Sequence, residues 1–433
     1  MAAGGLDGVG GGVAVAGSNA VKINMLAPDA LVADQEYLAT FAAGTADSVV
    51  EKVASTIKQQ GAHVKYMAAS RAHAWQGVSF KFLEKDAPAQ RQLLQHLADT
   101  PEVTSIEPNQ VLFVKPVAGV ETAAAAAAPV EFYEDGGASV ASVQPRVPSW
   151  GLDRVDGAMD NSYHYSSNGA GVCVYIVDSG IKKGHREFGE RRLIGAFIRY
   201  ATDAFGQTDD DRNKHGTHVA GTIAGSTYGV AKAAIVIPVR VLDNSGSGST
   251  ESLVAGLNYV ISDSREQCKK KVVNLSLGLT TRVDSIDRAV QAANRAGILV
   301  VVAAGNDGVD ACNASPAAVP AALTVGATGK PTGTGRSMRE NRAAFSNYGS
   351  CVDIFAPGVD IVSASLDGWF GTTLSGTSMA APHVSGLAAR LWGSGACNSA
   401  RQCANMLIQQ GQSNTVNERR GSSNKFAWLP PRT

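Results

Sequence analysis

The run Val172-Cys173-Val174-Tyr175-Ile176-Val177-Asp178-Ser179-Gly180 decides the fold. Six successive residues are apolar or aromatic, so no face of the segment is left for water. A half-solvated strand would alternate; this one reads as a strand buried on both faces, the mark of a parallel sheet between helix layers. Residues 235–241, 272–277, 298–303 and 322–325 have the same character, and helical patterns separate them. From Trp150 onward the expectation is therefore an α/β domain, a parallel sheet flanked by helices. Functional groups of such sheets gather at the carboxyl ends of the strands, where Asp178 and Asn306 fall.

Two further strings supply reactive partners for Asp178. His215-Gly216-Thr217-His218-Val219-Ala220-Gly221 opens a helical pattern with an imidazole, and Gly376-Thr377-Ser378-Met379-Ala380-Ala381-Pro382-His383 places a serine among small residues at the mouth of another. A serine is a useful nucleophile at neutral pH only when an imidazole takes its proton, and the imidazole needs a carboxylate to fix its tautomer and stabilise its charged form. Ser378, His215 and Asp178 fit those three roles, and the expectation is that they meet within hydrogen-bonding reach at one edge of the sheet. The pair His215 and His218, three residues apart, also suits a metal site, but no glutamate stands at the spacing such a site uses. A nucleotide-binding reading of Gly221 to Gly225 lacks a Gly-x-Gly-x-x-Gly after a strand.

The order Asp, His, Ser with these strings resembles the subtilisin-like serine peptidases, and in detail their proteinase K and aqualysin branch. The likeness spans roughly residues 149–430 and includes Trp150-Gly151-Leu152-Asp153-Arg154, Tyr228-Gly229-Val230-Ala231, Ala303-Ala304-Gly305-Asn306, Phe345-Ser346-Asn347-Tyr348-Gly349 and Phe355-Ala356-Pro357-Gly358. It implies His215 as base, since that is the family's first-histidine position, with His218 packed inside. It implies Asn306 as the side-chain donor to the tetrahedral oxyanion, beside the Ser378 amide. Backbone at Gly246 and at Leu275, Ser276, Leu277 and Gly278 would hold an extended peptide as an added strand. Ala303, Ala304 and Gly305 would line the pocket for the side chain before the cut bond, and no acidic residue there selects Arg or Lys. Ala314 and Thr250 depart from the aromatics common in relatives, implying a roomier first pocket and a less apolar outer one. Broad endopeptidase activity leaning to apolar side chains is the expectation.

Metals and disulfides enter by the same resemblance. No cofactor is needed for the chemistry, while structural calcium is implied at Asp353 with the carbonyls of Pro320 and Ala322, and at a second cluster of Asp153, Asp156, Asp160 and Asn161. The six cysteines contain no Cys-x-x-Cys pair and read as disulfides, with fifteen pairings open to sequence alone. Likeness to the branch pairs Cys173 with Cys268 and Cys312 with Cys351, leaving Cys397 with Cys403. Disulfides point to an oxidising compartment and secretion. Met1 to Ala20 opposes this, being Gly-rich, holding Asp7 and offering no Lys or Arg before Lys22; the expectation is a start truncated or misplaced relative to a signal peptide. Asn313-Ala314-Ser315 is a sequon in a loop pattern, and Asn274-Leu275-Ser276 one inside a buried strand pattern.

The 433 residues exceed one typical domain. Basic and acidic residues balance at 38 each, so no nucleic acid or acidic membrane surface is implied, and no apolar stretch reaches the roughly 18 residues of a membrane span. Residues 1–32 read as a disordered or atypical segment. Residues 33–115 carry a β-α-β-β-α-β pattern, a small ferredoxin-like α+β domain: strands near 37–41, 63–67, 78–83 and 103–114, helices over 46–60 and 88–98. At this position such a module resembles the family's inhibitory propeptide, which templates folding and leaves its tail in the active site. Residues 116–147, with an alanine run, acidic residues, glycines and prolines, read as an exposed linker holding the processing bond, and 148–433 as the peptidase domain. The chain is thus expected to be a monomeric zymogen acting on polypeptides, with its own propeptide as inhibitor. The rival reading is a catalytically silent scaffold that binds peptides without cutting them.

Overall fold

The computed structural model of the chain describes residues 22–23, 32–70, 75–84, 86–114, 117, 123–124, 142–189, 210–333, 335–368 and 371–431. Most of the atypical segment expected over 1–32 and most of the linker expected over 116–147 lie outside the described residues. The chain divides into two compact units, residues 1–110 and 111–433.

The first unit is built from β1 (Val32–Phe41), α1 (Asp47–Gln59), β2 (Ala62–Ala68), β3 (Gly77–Phe82), α2 (Ala87–Ala98) and β4 (Val103–Phe113), whose last residues cross into the second unit. β1 lies between β3 and β4, antiparallel to both, and β2 pairs with the far edge of β3. This order, β4-β1-β3-β2, is the split ferredoxin-like arrangement expected from the pattern. Val50, Val53, Ala54 and Ile57, at helical spacing, form the buried face of α1, and Leu93 and Leu97 that of α2. Both faces pack on Val78, Phe80 and Ile106 of the sheet. Asp86 caps α2, its carboxylate accepting from the Ala89 amide, and Pro88 sits in the first turn where its missing N–H costs little.

The second unit holds the parallel sheet. Its strands are β5 (Cys173–Asp178), β6 (Ile235–Arg240), β7 (Lys271–Leu275), β8 (Leu299–Ala303), β9 (Leu323–Thr328) and β10 (Ile354–Pro357), in spatial order β6-β5-β7-β8-β9-β10, all parallel. The strands expected near 172–177, 235–241, 272–277, 298–303 and 322–325 are all present. Every residue of β5, β8 and β9 is buried, which is why their sequences carry no polar face. The helices are α3 (Trp150–Arg154), α4 (His215–Ala224), α5 (Thr250–Ser262), α6 (Asp284–Arg295), α7 (Thr377–Ser394) and α8 (Ala400–Gln410). α7 runs under the sheet against β7, β8, β9 and β10. Its Ala380, Ala381, Gly386, Ala388 and Ala389 are wholly covered or nearly so, and a β-carbon on Gly386 would lie 2.6 Å from Val230.

The strand order reverses at β5. The chain leaves β5 for β6 on one side and returns to β7 on the other, so the carboxyl ends of β5 and β7 border the crevice where open parallel sheets bind ligands. Three disulfides brace the unit, Cys173–Cys268, Cys312–Cys351 and Cys397–Cys403, the pairings implied by the resemblance. Among the described residues no helix is long and apolar enough to cross a membrane.

Candidate active site

Asp178 is the last residue of β5 and wholly buried; His215 is the first of α4. The imidazole Nδ1 lies 2.9 Å from each Asp178 carboxylate oxygen. The helix can start this close to the strand because residue 216 is glycine: a β-carbon there would sit 2.1 Å from the Gly180 carbonyl oxygen. Burial pulls the His215 pKa down, but the charge and hydrogen bond of Asp178, with a further contribution from Asp211, push it above the ordinary imidazole value. His218 behaves as expected of a core residue. It is fully buried, its Nε2 bonds the Ile361 carbonyl at 3.0 Å, and burial drives its pKa down to about 3.

Ser378 is the second residue of α7, and its hydroxyl donates to the Ser276 carbonyl at 2.9 Å. The hydrogen bond expected between this hydroxyl and the imidazole is not formed among the described residues. The two side chains are nevertheless brought to adjacent strand ends. β7 pairs with β5 up to Asn274↔Ile176, with Ser276 two residues beyond that pair on one chain segment and Asp178 two residues beyond it on the other. α4 and α7 pack on each other, the Ile223 carbonyl lying 3.3 Å from where a Gly386 β-carbon would stand. Each of those residues is eight positions beyond His215 and Ser378 respectively.

The run of small residues after Ser378 puts Pro382 in the first turn of the helix, where its missing N–H would cost little, and the structure corrects that expectation. Pro382 lies not in the first turn of α7 but in its second, six residues in, where a missing N–H would orphan the carbonyl four residues earlier. That carbonyl belongs to Ser378. The hydroxyl of Ser276 fills the gap, donating to it at 2.9 Å. Ser276 and Ser378 thus exchange two hydrogen bonds, hydroxyl to carbonyl in each direction, and the network runs on through Asn274 Nδ2 to Ser276 Oγ and Ser385 Oγ to Asn274 Oδ1, each 2.9 Å. Asn274 is fully buried, which removes the sequon at 274 from use.

Asn306 follows β8. Its Oδ1 accepts from the amide and hydroxyl of Thr377 at 2.8 and 2.7 Å, which fixes the orientation of the side-chain amide. A β-carbon built on Gly376 would lie 3.3 Å from Asn306 Nδ2 and 3.6 Å from the Ser378 amide nitrogen. Two donors therefore flank one small space, as two donors to a single oxygen must. The sequence named Asn306 but missed Thr377, a residue with no signal of its own beyond its place before the serine.

The expected peptide-gripping backbone already holds an extended segment. Val111–Phe113, within the second unit, pairs antiparallel with Ser247–Ser249, the Val114 amide donates to the Gly246 carbonyl at 3.0 Å, and Phe113 bridges Gly278 on the other side. Leu112 is buried; a β-carbon on Gly248 would come within 3.1 Å of it. Val111–Phe113 falls in the second compact unit. Ala303 and Ala304 are buried at the end of β8, Gly305 is half-buried, Ala314 is buried, and Thr250 is fully buried as the first residue of α5.

The implied calcium ligands divide. Asp353 is largely buried, takes one hydrogen bond from the Thr324 amide at 2.8 Å, and burial pushes its pKa to about 6. An under-compensated buried carboxylate of this kind suits a cation, and the chain around Pro320 and Ala322 supplies the carbonyl-bearing turn before β9. Asp153 and Asp156 instead spend their oxygens locally. Asp153 accepts from the amides of Asp160 and Asn161 at 3.1 and 3.0 Å, and Asp156 from those of Ala158 and His164 at 2.9 and 2.8 Å. No three His, Cys, Asp or Glu side chains converge to hold a metal among the described residues.

Comparison with known proteins places the chain in a family. The subtilase family profile matches residues 169–428. The chain is 47% identical over 289 residues to an extracellular serine proteinase of Thermus sp. (strain Rt41A), covering 65% of this chain and 66% of that protein. It is 45% identical over 288 residues to subtilisin-like protease 2 of Pseudogymnoascus destructans, covering 65% and 67%, and 43% identical over 283 residues to alkaline serine exoprotease A of Vibrio alginolyticus, covering 64% and 50%. The match thus spans half the length of the Vibrio protein. The crystal structure of a cold adapted subtilisin-like serine proteinase superposes with TM-score 0.57 at 40% identity, covering 64% of this chain and 97% of that one. With a parallel sheet whose strand order reverses at Asp178, and with a profile match over most of the second unit, this chain belongs to the subtilase family.

Proposed function

We propose that the chain is the zymogen of a serine endopeptidase that cuts polypeptides by acyl transfer through Ser378. The reading is supported by a buried Asp178–His215 pair, by the Ser378 hydroxyl on a helix that packs against the one His215 begins, and by two donors, Asn306 Nδ2 and the Ser378 amide, flanking one space.

His215 Nε2 takes the Ser378 proton as Oγ attacks the substrate carbonyl carbon, while Asp178 holds Nδ1–H and stabilises the imidazolium. The carbonyl oxygen becomes an oxyanion received by Asn306 and the Ser378 amide. His215 then returns the proton to the departing amine, leaving an acyl ester on Ser378, and water activated by the same imidazole hydrolyses it. The substrate lies extended between Gly246–Ser249 and Gly278, held by main-chain hydrogen bonds that ask little of sequence. An apolar preference is supported by the buried setting of Leu112 and by pocket walls of Ala303, Ala304 and Gly305.

Residues 33–115 act in this reading as the prosegment, with Val111–Val114 as a built-in occupant of the groove and cleavage falling in 116–147. Asp353 with the carbonyls of Pro320 and Ala322 would hold a calcium ion, which would supply rigidity and no chemistry. Secretion is supported by the disulfides and by the extracellular relative. The test is hydrolysis of casein and of apolar-ended peptide anilides by the processed protein. Activity in wild type and none in Ser378→Ala supports the reading; equal activity in both, or none in either, refutes it.

A further inference from the structure

Asp211 is a carboxylate that the reaction above leaves without a task, and it is almost completely buried. It stands four residues before His215, outside any regular element. Its two oxygens accept five hydrogen bonds. Oδ1 receives the Ser179 hydroxyl at 2.9 Å and the amides of Asn213 and Lys214 at 2.8 and 3.1 Å. Oδ2 receives the amide and hydroxyl of Thr217 at 2.9 and 2.6 Å.

Every one of these partners donates. The two hydroxyls are themselves acceptors from backbone: Gly216 N–H donates to Ser179 Oγ at 3.0 Å, and Lys182 N–H to Thr217 Oγ1 at 2.9 Å. Their own protons are therefore aimed at Asp211. A protonated Asp211 would set a proton against a donor, so the network is arranged for the anion. Burial pushes this carboxyl up, and the hydrogen bonds from Thr217 and Asn213 work against that rise. The same bonds hold Lys214 at φ +89°, a conformation non-glycine residues rarely adopt, at the N-cap of α4.

Ser179 follows Asp178 directly, and Thr217 follows His215 by two. Through those two residues Asp211 fastens the end of β5 to the start of α4, the two elements that hold the carboxylate and imidazole of the reaction. The charge matters as well. His215 is the first residue of α4, where the helix field opposes a positive imidazolium. The titratable and charged groups around this network are Asp178, His215, Arg240, Arg212, Asp210 and Lys182; His218 and His383 are buried with pKa values lowered to about 3 and 4 and stay neutral.

We propose that Asp211 is a positioning residue of the proposed reaction, a second buried anion that locks the His215 helix start onto the Asp178 strand end and favours the imidazolium formed when Ser378 loses its proton. The inference rests on the triad reading above. The experiment compares kcat, KM and the pH dependence of kcat/KM on a peptide anilide for processed wild type, Asp211→Asn, Ser179→Ala and Thr217→Val. Prosegments are trimmed by tagged wild-type enzyme that is then removed.

Asp211→Asn is expected to lower kcat about tenfold or more with KM little changed, and to move the acid limb of kcat/KM to lower pH by roughly half a unit, since a negative charge near the imidazole is gone. Ser179→Ala and Thr217→Val keep the anion and lose one tie each, so kcat is expected to fall about two- to tenfold with the acid limb in place. A folded Asp211→Asn with wild-type kcat and wild-type acid limb overturns the inference. Should Asp211→Asn fail to fold, the other two decide: reduced kcat in both supports it, and wild-type kcat in both overturns it. An inactive wild type brings down the reaction itself and this inference with it, whereas active wild type, inactive Ser378→Ala and unchanged Asp211→Asn bring down this inference alone.

Discussion

At the scale of single residues, the balance between burial and Asp178 around His215 has a direct consequence. The imidazole must be neutral to accept the Ser378 proton, and its pKa is raised. Activity is therefore lost as pH falls through a value above the ordinary 6.5, and kcat/KM measured against pH is expected to show its acid limb there. The raised value also means that the Asp178–His215 pair stabilises the fold below pH 6.5, a contribution that fades as pH rises through the folded-state value. Asn306→Ala is expected to cost on the order of 10²- to 10³-fold in kcat with KM nearly unchanged, the size known for subtilisin, because its Nδ2 donor is spent on the oxyanion in the proposed reaction. The places of Asp178, His215, Asn306 and Ser378 were legible because each stands in a short string that ends a strand or begins a helix, while their roles belong to the proposed reaction. Asp211 was not. In sequence it is one of three adjacent aspartates with nothing to single it out, and only the fold aims Ser179 and Thr217 at it.

At the scale of elements, α7 shows where pattern reading runs short. The helix itself was legible from its small residues, but the position of Pro382 was placed one turn too early. Its missing N–H leaves the Ser378 carbonyl to the Ser276 hydroxyl. Ser276→Ala is expected to leave that buried carbonyl unsatisfied and to lower stability by about 1–3 kcal/mol in urea unfolding of the processed protein. Pro382→Ala restores an N–H at the right place in the helix, so the double variant should recover much of the loss. If both singles and the double unfold alike, the compensation is wrong. The buried strands were legible because they have no polar face. β10 was seen only as the string Phe355-Ala356-Pro357-Gly358, since its proline argues against a strand interior; it is a short strand, four residues long, with the proline at its end.

At the scale of the molecule, the ferredoxin-like first unit was legible from the β-α-β-β-α-β order. The exact limit was not, because Val111–Phe113 is a strand by pairing with Ser247–Ser249, a partner far away in sequence. The calcium expectation also belongs here. Asp353, with a pKa of about 6 against an ordinary carboxylate value, makes the cation-free fold less stable as pH rises from about 4 through 6, since ionisation is disfavoured in the folded state. Calcium should oppose that loss. At pH 8 a chelator is expected to lower the Tm of the processed wild type, and Asp353→Asn should show a much smaller calcium-dependent shift. An undiminished shift in that variant would move the ion to other ligands.

The central claim is that Ser378 is a nucleophile activated within this crevice. It is tested most directly by treating the processed protein with a fluorophosphonate and locating the adduct by peptide mass spectrometry. The account predicts one stoichiometric adduct, on Ser378, lost in Ser378→Ala and slowed strongly in His215→Ala. No adduct on the processed wild type, or one that persists in Ser378→Ala, would contradict it.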